Sequence, residues 1–569
     1  MRRILSCTIA AAVAAAGAFV AGPGSSGAAL SQSVTAAGGD YVVVYAAGAS
    51  AAAARRAIED SGGTIVQENT SLGYAVVRSD SARFRSAAAE ATALVGAARN
   101  RVIGMAPRQR RAPAEDIERL LKERDALSGT DGVSDAVPAR RALAEPLANR
   151  QWNMRQIGAS PSGSYAESQG NRRVLVGIID TGVDGRHPDI APNFAGKLSA
   201  NFTVDNPFID GECEVPSCVD PANVDDHSHG THVASIIGSP INDLGVAGVA
   251  PKVGLVNIRA GQDSGYFFLQ PTLEALTYAG DIGVDVVNMS YYVDPWLFNC
   301  LSHPADSPAE QSEQRVIRTA VQRAVNYAVG HNVTPVASEG NGATNLDHPK
   351  IDETSPDFPP GSEKRRKISN ACITVPTETR GTVPVSATGP STRKAYYSNF
   401  GLEQTVVAAP GGDYYDSADN TGDPRNMVLA AYPRRVARLN GELNDDGTPN
   451  TPFVVRDCDA DRCGYYTYYQ GTSMASPHAA GVAALVVSQH GSVGDGARSW
   501  TLEPAVTKRM LRDTAVPHAC PEPRRYRYRL RETDGSVARL SAYCAGPIAK
   551  NGFYGHGIVN ADKAASAPR

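Results

Sequence analysis

Residues 469–478 read YQGTSMASPH, and a largely apolar, alanine-rich segment follows as far as His490. Because apolar residues fill that segment without strict alternation, it predicts a buried helix. Ser473 then lies at a helix N-terminus, where free backbone N–H groups and the helix dipole favour negative charge. A serine in such a place can act as a nucleophile if the chain also supplies a base and a carboxylate.

The segments before this stretch alternate between strand-like and helix-like patterns. Nearly continuous apolar runs at 174–179, 254–258 and 284–289 are typical of parallel strands that are covered on both faces. The fold class predicted for the main body is therefore α/β, with a mostly parallel central sheet and helices on both faces. The predicted helices are 232–237, 269–282, 313–331 and 477–490.

Two further polar residues stand at the ends of predicted elements. Asp180 directly follows the first apolar run, and sites form where the strands of an open parallel sheet end. His229 begins the sequence HGTHVA, in which Gly230 allows a helix to start close to such a site. Together with Ser473, these residues supply the carboxylate, imidazole and hydroxyl that acyl transfer by serine requires.

These motifs resemble those of subtilisin-type serine peptidases, the subtilase family, in which the catalytic residues follow the order Asp, His, Ser. The resemblance covers roughly residues 150–569. It is carried by IDTGVD at 179–184, HGTHVA at 229–234, GVAGVAP at 245–251, GTSMASPH at 471–478 and YGHGIVNA at 554–561.

The resemblance implies a role for each of these residues. Ser473 would be the nucleophile, His229 the general base and then acid, and Asp180 the carboxylate that orients His229. His232, the second histidine of its motif, is expected to be structural. No cofactor is expected for catalysis.

A second group of residues resembles the family's oxyanion and substrate-binding segments. Asn341 lies in SEGNG at 338–342, after a strand-like run, and would supply a side-chain donor to the oxyanion; the alternative is an ordinary turn asparagine. The predicted substrate-binding residues are Ser290, Tyr291, Tyr292 and Gly340. The family usually has a small residue two positions after this serine. Tyr291 and Tyr292 stand here instead and are expected either to narrow the subsites or to move the substrate-pairing strand. Glu339 would either favour basic side chains in the first pocket or face the surface.

A structural calcium ion is the one metal that the resemblance suggests. Asp189 and Asn242 match family positions that bind calcium, and carboxylate and amide oxygens suit that ion. Ala148 occupies the ungapped position of the ligand expected near the mature N-terminus. Asp457, Asp459 and Asp461 are also metal-like, although a solvated disulfide hairpin explains them better.

The N-terminus has the pattern of a secretory signal peptide, predicted over residues 1–29. Two arginines precede an apolar run, and small residues follow it. A membrane anchor is the alternative, but the run is rich in alanine and glycine. The pattern predicts a secreted, extracellular protein without a stable membrane anchor.

Three further segments follow. Residues 38–107 have the order strand–helix–strand–strand–helix–strand of a small α+β, ferredoxin-like unit, with a second helix at 81–98 and a last strand at 101–105. This unit is similar to the family's inhibitory propeptide. Residues 108–148 are predicted to be a linker that contains the maturation cleavage, and 149–569 the peptidase domain, with inserted loops near 343–372 and 412–468.

Eight of the nine cysteines lie after the predicted signal peptide, which favours disulfides over free thiols in an exported chain. Eight cysteines allow 105 pairings. Proximity alone suggests Cys213–Cys218, Cys300–Cys372, Cys458–Cys463 and Cys520–Cys544. Zinc is the competing explanation, but the chain has no CxxC motif or nearby histidine pair to support it.

The net charge argues against one class of function, and the motifs favour two others. The formal net charge of −4 over 569 residues gives no reason to expect nucleic-acid binding. The leading hypothesis is a monomeric, secreted endopeptidase that acts on protein or peptide substrates through an acyl-enzyme and is inhibited by its own propeptide. The alternative is a catalytically weak binding module with the same fold. A serine esterase is disfavoured because the chain lacks a GxSxG elbow.

Overall fold

The computed structural model describes residues 39–100, 144–460, 462–493, 500–532 and 534–568. The predicted signal peptide, the strand predicted at 101–105, Asp461 and most of the predicted linker lie outside the described residues. Among the described residues, no helix combines the length and the apolar character needed to cross a bilayer.

The amino-terminal domain is a four-stranded antiparallel sheet in the order β2-β3-β1-β4, with two helices. Its elements are β1 Gly39–Tyr45, α1 Ala51–Asp60, β2 Thr64–Asn69, β3 Tyr74–Ser79, α2 Phe84–Glu90 and β4 Leu94–Arg99.

The order of these elements is as predicted, but the second helix is shorter than predicted, and the fourth strand begins within the range predicted as helix. The helix ends at Glu90 rather than near Ala98, and the strand occupies Leu94–Arg99. Ala97 and Ala98 pair with the valine-rich β1, and this tertiary contact overrides the helical propensity of alanine.

The main body is built around a seven-stranded parallel sheet in the order β13-β12-β9-β8-β5-β7-β6. Its strands are β5 Leu175–Ile179, β6 Ala200–Asn201, β7 Gly254–Arg259, β8 Val286–Met289, β9 Thr334–Ser338, β12 Val383–Thr388 and β13 Val407–Pro410. Every residue of β5, β8, β9, β12 and β13 is buried, as expected for strands that are covered on both faces. The predicted α/β class is correct.

Two hydrophobic clusters contain the helices that cover this sheet. One cluster includes the helices at 229–238 and 472–490, and the other includes the helices at 269–282 and 308–330. The helices of the main body are α3 Trp152–Gln156, α4 Ser164–Glu167, α5 His229–Gly238, α6 Leu269–Ile282, α7 Pro308–Gly330, α8 Arg434–Leu439, α9 Thr472–His490, α10 Pro504–Thr514 and α11 Ala561–Ser566.

The amino-terminal sheet packs against α6 and α7. Its buried residues Val42, Val44 and Tyr74 belong to the same hydrophobic cluster as these two helices. Arg323 of α7 donates hydrogen bonds to the carbonyl oxygens of Tyr45, Leu72 and Gly73. The interface therefore combines apolar burial with an arginine that satisfies strand-end carbonyl groups.

The segment predicted as an inserted loop at 412–468 contains regular structure, so that prediction was wrong in part. It holds α8 and an antiparallel sheet in the order β14-β16-β15, with β14 Val428–Ala431, β15 Val454–Asp459 and β16 Arg462–Tyr469. Tyr465, Tyr466 and Tyr468 are buried, so this tyrosine-rich stretch is a strand with a packed face. The segment 343–372 holds only the short strands β10 Ile351–Asp352 and β11 Arg366–Lys367.

The eight cysteines form the four disulfides that proximity suggests: Cys213–Cys218, Cys300–Cys372, Cys458–Cys463 and Cys520–Cys544. The last of these closes the base of a hairpin formed by β17 Arg525–Arg531 and β18 Val537–Tyr543.

Candidate active site

Asp180 and His229 meet at the carboxyl end of the central sheet. Asp180 is the residue after β5 and is fully buried, and His229 is the first residue of α5. The Nδ1 atom of His229 lies 2.7 Å from Oδ1 of Asp180. Burial lowers the pKa of His229, but the Asp180 carboxylate outweighs that effect, so the pKa is raised above its usual value.

Close backbone contacts bring α5 to this position. A Cβ atom on Gly230 would lie 2.0 Å from the Gly182 carbonyl oxygen, so only glycine fits there. Asp225 accepts hydrogen bonds from the backbone N–H groups of Ser228 and Thr231 and thereby caps the start of the helix. Asp225 was not predicted from the sequence, although an aspartate shortly before a helix start is a recognisable capping signal.

Ser473 lies at the start of α9, which begins five residues earlier than predicted. Its hydroxyl donates to the Ser290 carbonyl oxygen over 3.3 Å. In return, the Ser290 hydroxyl donates to the Ser473 carbonyl oxygen. In an ordinary helix the N–H of residue 477 would donate to this oxygen, but Pro477 has no N–H. The proline within α9 thus frees an acceptor that ties the helix start to the end of β8.

The Asn341 side chain is held by the residue that precedes Ser473. Its Oδ1 atom accepts hydrogen bonds from both the backbone N–H and the hydroxyl of Thr472, each over 2.9 Å. These two donors identify Oδ1 and leave the amide Nδ2 as the free donor end of the side chain.

The predicted substrate-binding residues are placed unequally. Ser290 contacts Ser473, and Gly340 directly precedes Asn341 at a φ of +99°. Tyr291 is only 7% exposed, and its ring stacks on Phe267 with centroids 4.1 Å apart. Tyr292 is partly buried and donates to Asp357. The expectation that the Tyr291 phenol narrows a subsite is wrong, because packing turns this ring into the protein.

Glu339 lies neither in a pocket nor at the surface, so both sequence interpretations of it were wrong. The side chain is fully buried, and burial raises the pKa of its carboxyl group well above the usual value. A neutral glutamic acid beneath the Asn341 segment is the state that this environment favours.

His232 is buried in the contact between α5 and the sheet formed by β14, β15 and β16. Its Nε2 atom lies 3.1 Å from the carbonyl oxygens of both Val428 and Thr467. Burial lowers the pKa of His232 to about 3, so the ring is neutral at physiological pH.

The candidate calcium residues Asp189 and Asn242 lie close together, and Glu145 joins them. Glu145 Oε1 accepts a hydrogen bond from the Asn242 backbone N–H, and Glu145 lies three residues before Ala148, the position that the ungapped comparison indicates. Glu145 Oε2 and Asp189 Oδ1 are buried without a hydrogen-bond partner within the described ranges. Burial raises the pKa of Glu145 to about 7 and that of Asp189 to about 8. This donor set fits a hard divalent cation.

The two described aspartates beside Cys458, which resemble metal ligands in the sequence, lie in different surroundings. Asp457 accepts a hydrogen bond from the backbone N–H of Gly245, beside the candidate calcium residues. Asp459 pairs with Arg462 at the surface.

A separate acidic cluster was not predicted. Single carboxylate oxygens of Asp205, Glu214, Asp220 and Asp263 lie within 4.8 Å of one another. The buried guanidinium of Arg259 forms ion pairs with three of them, Asp205, Asp220 and Asp263. An internal cation therefore already compensates much of this charge.

Sequence comparison identifies the family. The sequence model of the subtilase family matches residues 171–557, so the chain belongs to the subtilase family. It is 26% identical over 344 residues to thermitase from Thermoactinomyces vulgaris, covering 60% of this chain and 84% of thermitase. It is 28% identical over 335 residues to a thermophilic serine proteinase from Bacillus sp. (strain AK1), covering 58% of this chain but only 57% of that relative.

Two solved structures share the fold. The epidermin leader peptide processing serine protease of Staphylococcus aureus superposes with a TM-score of 0.57 and 20% identity, covering 93% of this chain and 98% of that chain. Fervidolysin from Fervidobacterium pennivorans superposes with a TM-score of 0.53 and 21% identity, covering 93% of this chain and 61% of that chain.

Proposed function

We propose that this protein is a secreted serine endopeptidase, made as a zymogen, that hydrolyses peptide bonds through an acyl-enzyme on Ser473. The observation that carries the proposal is the 2.7 Å contact between His229 and the buried Asp180 at the sheet edge where Ser473 and Asn341 also lie. Membership of the subtilase family supports it.

Each residue has a defined task in the proposed reaction. The Ser473 hydroxyl turns from Ser290 towards His229, which takes its proton as the oxygen attacks the substrate carbonyl. Asn341 Nδ2 and the Ser473 backbone N–H donate to the oxyanion that forms. His229 then gives the proton to the leaving amine, and water, activated in the same way, releases the acyl group.

The pH dependence follows from the raised pKa of His229. Only neutral imidazole can act as the base, so activity is complete above this pKa and is lost as the pH falls through it. The pKa of free histidine is about 6.5. We therefore expect the acid limb of kcat/KM to have its midpoint above about 6.5, measured with an uncharged peptide substrate. A midpoint clearly below that value would contradict the assigned Asp180–His229 pairing.

The amino-terminal domain is proposed to be the intramolecular inhibitor, removed by self-cleavage within 108–148. Its contact with α6 and α7, including the three hydrogen bonds from Arg323, supports this role. The four disulfides and the signal-like N-terminus support export.

Calcium is proposed as a structural ligand. Glu145, Asp189 and Asn242 would hold it, and the ion would supply positive charge to two buried carboxylates. No step of the proposed reaction involves it.

Covalent labelling tests the function directly. The full-length protein and its Ser473→Ala variant are incubated with a fluorescent fluorophosphonate, and chain length is followed by electrophoresis. The wild type is expected to label and to shorten from full length, whereas the variant does neither. If the wild type stays at full length and does not label, it is not a serine peptidase, and a binding module becomes the better explanation.

Asn341→Ala is expected to lower kcat by about 10²–10³-fold with little change in KM, because one oxyanion donor is lost. The rate is measured per fluorophosphonate-labelled site. Asn345→Ala, a nearby turn asparagine that accepts a hydrogen bond from the Asp347 backbone N–H, is the matched control. Full activity of Asn341→Ala would reject the oxyanion assignment.

A further inference from the structure

Asn399 forms four hydrogen bonds with the backbone of the segment that contains Asn341. It follows β12 in the sequence, is 3% exposed, and lies in the turn that packs against residues 339–344. Its Nδ2 donates to the Glu339 carbonyl oxygen over 2.8 Å. Its Oδ1 accepts from the backbone N–H groups of Gly342 and Thr344 over 3.0 and 2.8 Å. Its own backbone N–H donates to the Gly340 carbonyl oxygen over 2.9 Å.

These four hydrogen bonds reach the chain on both sides of Asn341 and none involves Asn341 itself. Two bind residues before it, and two bind residues after it. Thr472 meanwhile holds the Asn341 side chain through Oδ1. The side chain and the backbone of the candidate oxyanion donor are therefore fixed by two different residues.

The backbone of this segment needs such support. Gly340 has a φ of +99°, and a Cβ atom there would lie 2.6 Å from Asn399 Nδ2. The side chain at position 399 must donate to the Glu339 carbonyl oxygen and accept from the N–H groups of Gly342 and Thr344. A short amide side chain carries both a donor and an acceptor on one planar group and so meets this requirement. Glycine at 340 and asparagine at 399 are thus complementary.

The turn that carries Asn399 is itself anchored. The Ser398 hydroxyl accepts from the Ala387 backbone N–H of β12 and donates to the Asn399 carbonyl oxygen. The buried amino group of Lys394 donates to the Ser398 carbonyl oxygen over 2.7 Å. These hydrogen bonds hold the turn that carries Asn399 beside β12.

We infer that Asn399 is a positioning residue for catalysis, which sets the place of the Asn341 donor without touching the substrate. This inference rests on the proposed function. A misplacement of about 1 Å in a catalytic group can cost up to about 10²-fold in rate. We expect Asn399→Ala to lower kcat by about 10–10²-fold per labelled site and to leave KM within about twofold, because the lost alignment matters in the transition state.

A double-mutant cycle with Asn341→Ala distinguishes positioning from general destabilisation. In the Asn341→Ala background there is no donor left to position, so adding Asn399→Ala is expected to change kcat by less than about threefold. Asn399→Asp keeps both accepted hydrogen bonds and loses the donor to Glu339. Its kcat should lie between the wild-type and alanine values, and it replaces the alanine variant in the cycle if the latter does not accumulate.

Asn551 provides a matched control, because its buried amide accepts from the backbone N–H groups of Phe553 and Tyr554 and donates to the His518 carbonyl oxygen. Asn551→Ala should lower the Tm much as Asn399→Ala does, yet leave kcat per labelled site unchanged. Equal kcat losses in both variants, additive losses in the cycle, or a wild-type kcat in Asn399→Ala would each overturn the inference. Failure of the wild type to label would instead remove the proposed function.

Discussion

Ser473→Ala is expected to lower kcat for peptide hydrolysis by about 10⁶-fold, among the largest effects that a single change in a serine peptidase can have. The variant loses the only atom that forms the acyl-enzyme. It keeps the groups proposed to bind the oxyanion, so a small rate above that in water should remain. The measurement is the steady-state hydrolysis of a chromogenic peptide by wild-type and variant protein.

A variant that cannot cleave itself keeps its propeptide, and the propeptide would lower the measured rate whether or not the hydroxyl is present. The propeptide is therefore removed before the assay. The variant is matured by tagged wild-type enzyme, which is then depleted before the assay. Ser488→Ala is the control, because Ser488 is a buried serine on the same helix whose hydroxyl donates to the Ala484 carbonyl oxygen. A matured Ser473→Ala protein within tenfold of the wild-type rate would contradict the mechanism.

Asp180→Asn is expected to lower kcat by about 10⁴-fold with the fold retained. An amide at this position can donate to Nδ1 of His229, which stabilises the tautomer in which Nε2 carries the proton. That tautomer cannot accept the proton of Ser473. The effect is measured as kcat and, independently, as the rate of fluorophosphonate labelling, which should fall in parallel.

The same variant changes the pH profile in a predictable direction. The Asp180 carboxylate raises the pKa of His229 against the lowering effect of burial. Without this charge the pKa falls, so the acid limb of the residual activity should move to lower pH. Asp184→Asn is the control, since its carboxylate accepts from the backbone N–H of Arg186 and lies outside the Asp180–His229 pair. An unmoved acid limb in Asp180→Asn would show that another group titrates.

Local patterns predicted the central sheet because its strands are buried on both faces. Nearly continuous apolar runs at β5 and β8, each followed by a polar site residue, required no long-range information. Helix α6 was predicted at its observed bounds, Leu269–Ile282. The predicted start of α9 at Pro477 is too late, because the helix tolerates this proline by giving the Ser473 carbonyl oxygen another donor.

Other features depended on contacts that no local pattern contains. Alanines near residue 97 have helical propensity but pair with β1, and the tyrosine-rich segment before Ser473 folds into a sheet against α5. Glu145 was missed as a candidate calcium ligand because it lies three residues before the position that an ungapped comparison indicates. Glu339 was misjudged because a charged residue near a site suggests a pocket or the surface, whereas here it is buried.

The amino-acid sequence by itself determined the chemical groups and the elements that carry them: Asp180 after a strand, and His229 and Ser473 at helix starts. Such placements are local, since hydrophobic periodicity and capping act over a few residues. Only the tertiary structure decided how these groups are held. The Asn341 amide is oriented by Thr472, 131 positions away, and the backbone around it by hydrogen bonds with Asn399 that span 57 and 60 positions. Hydrogen bonds between such distant residues depend on the packed sheet, because only folding brings their donors and acceptors within 3 Å.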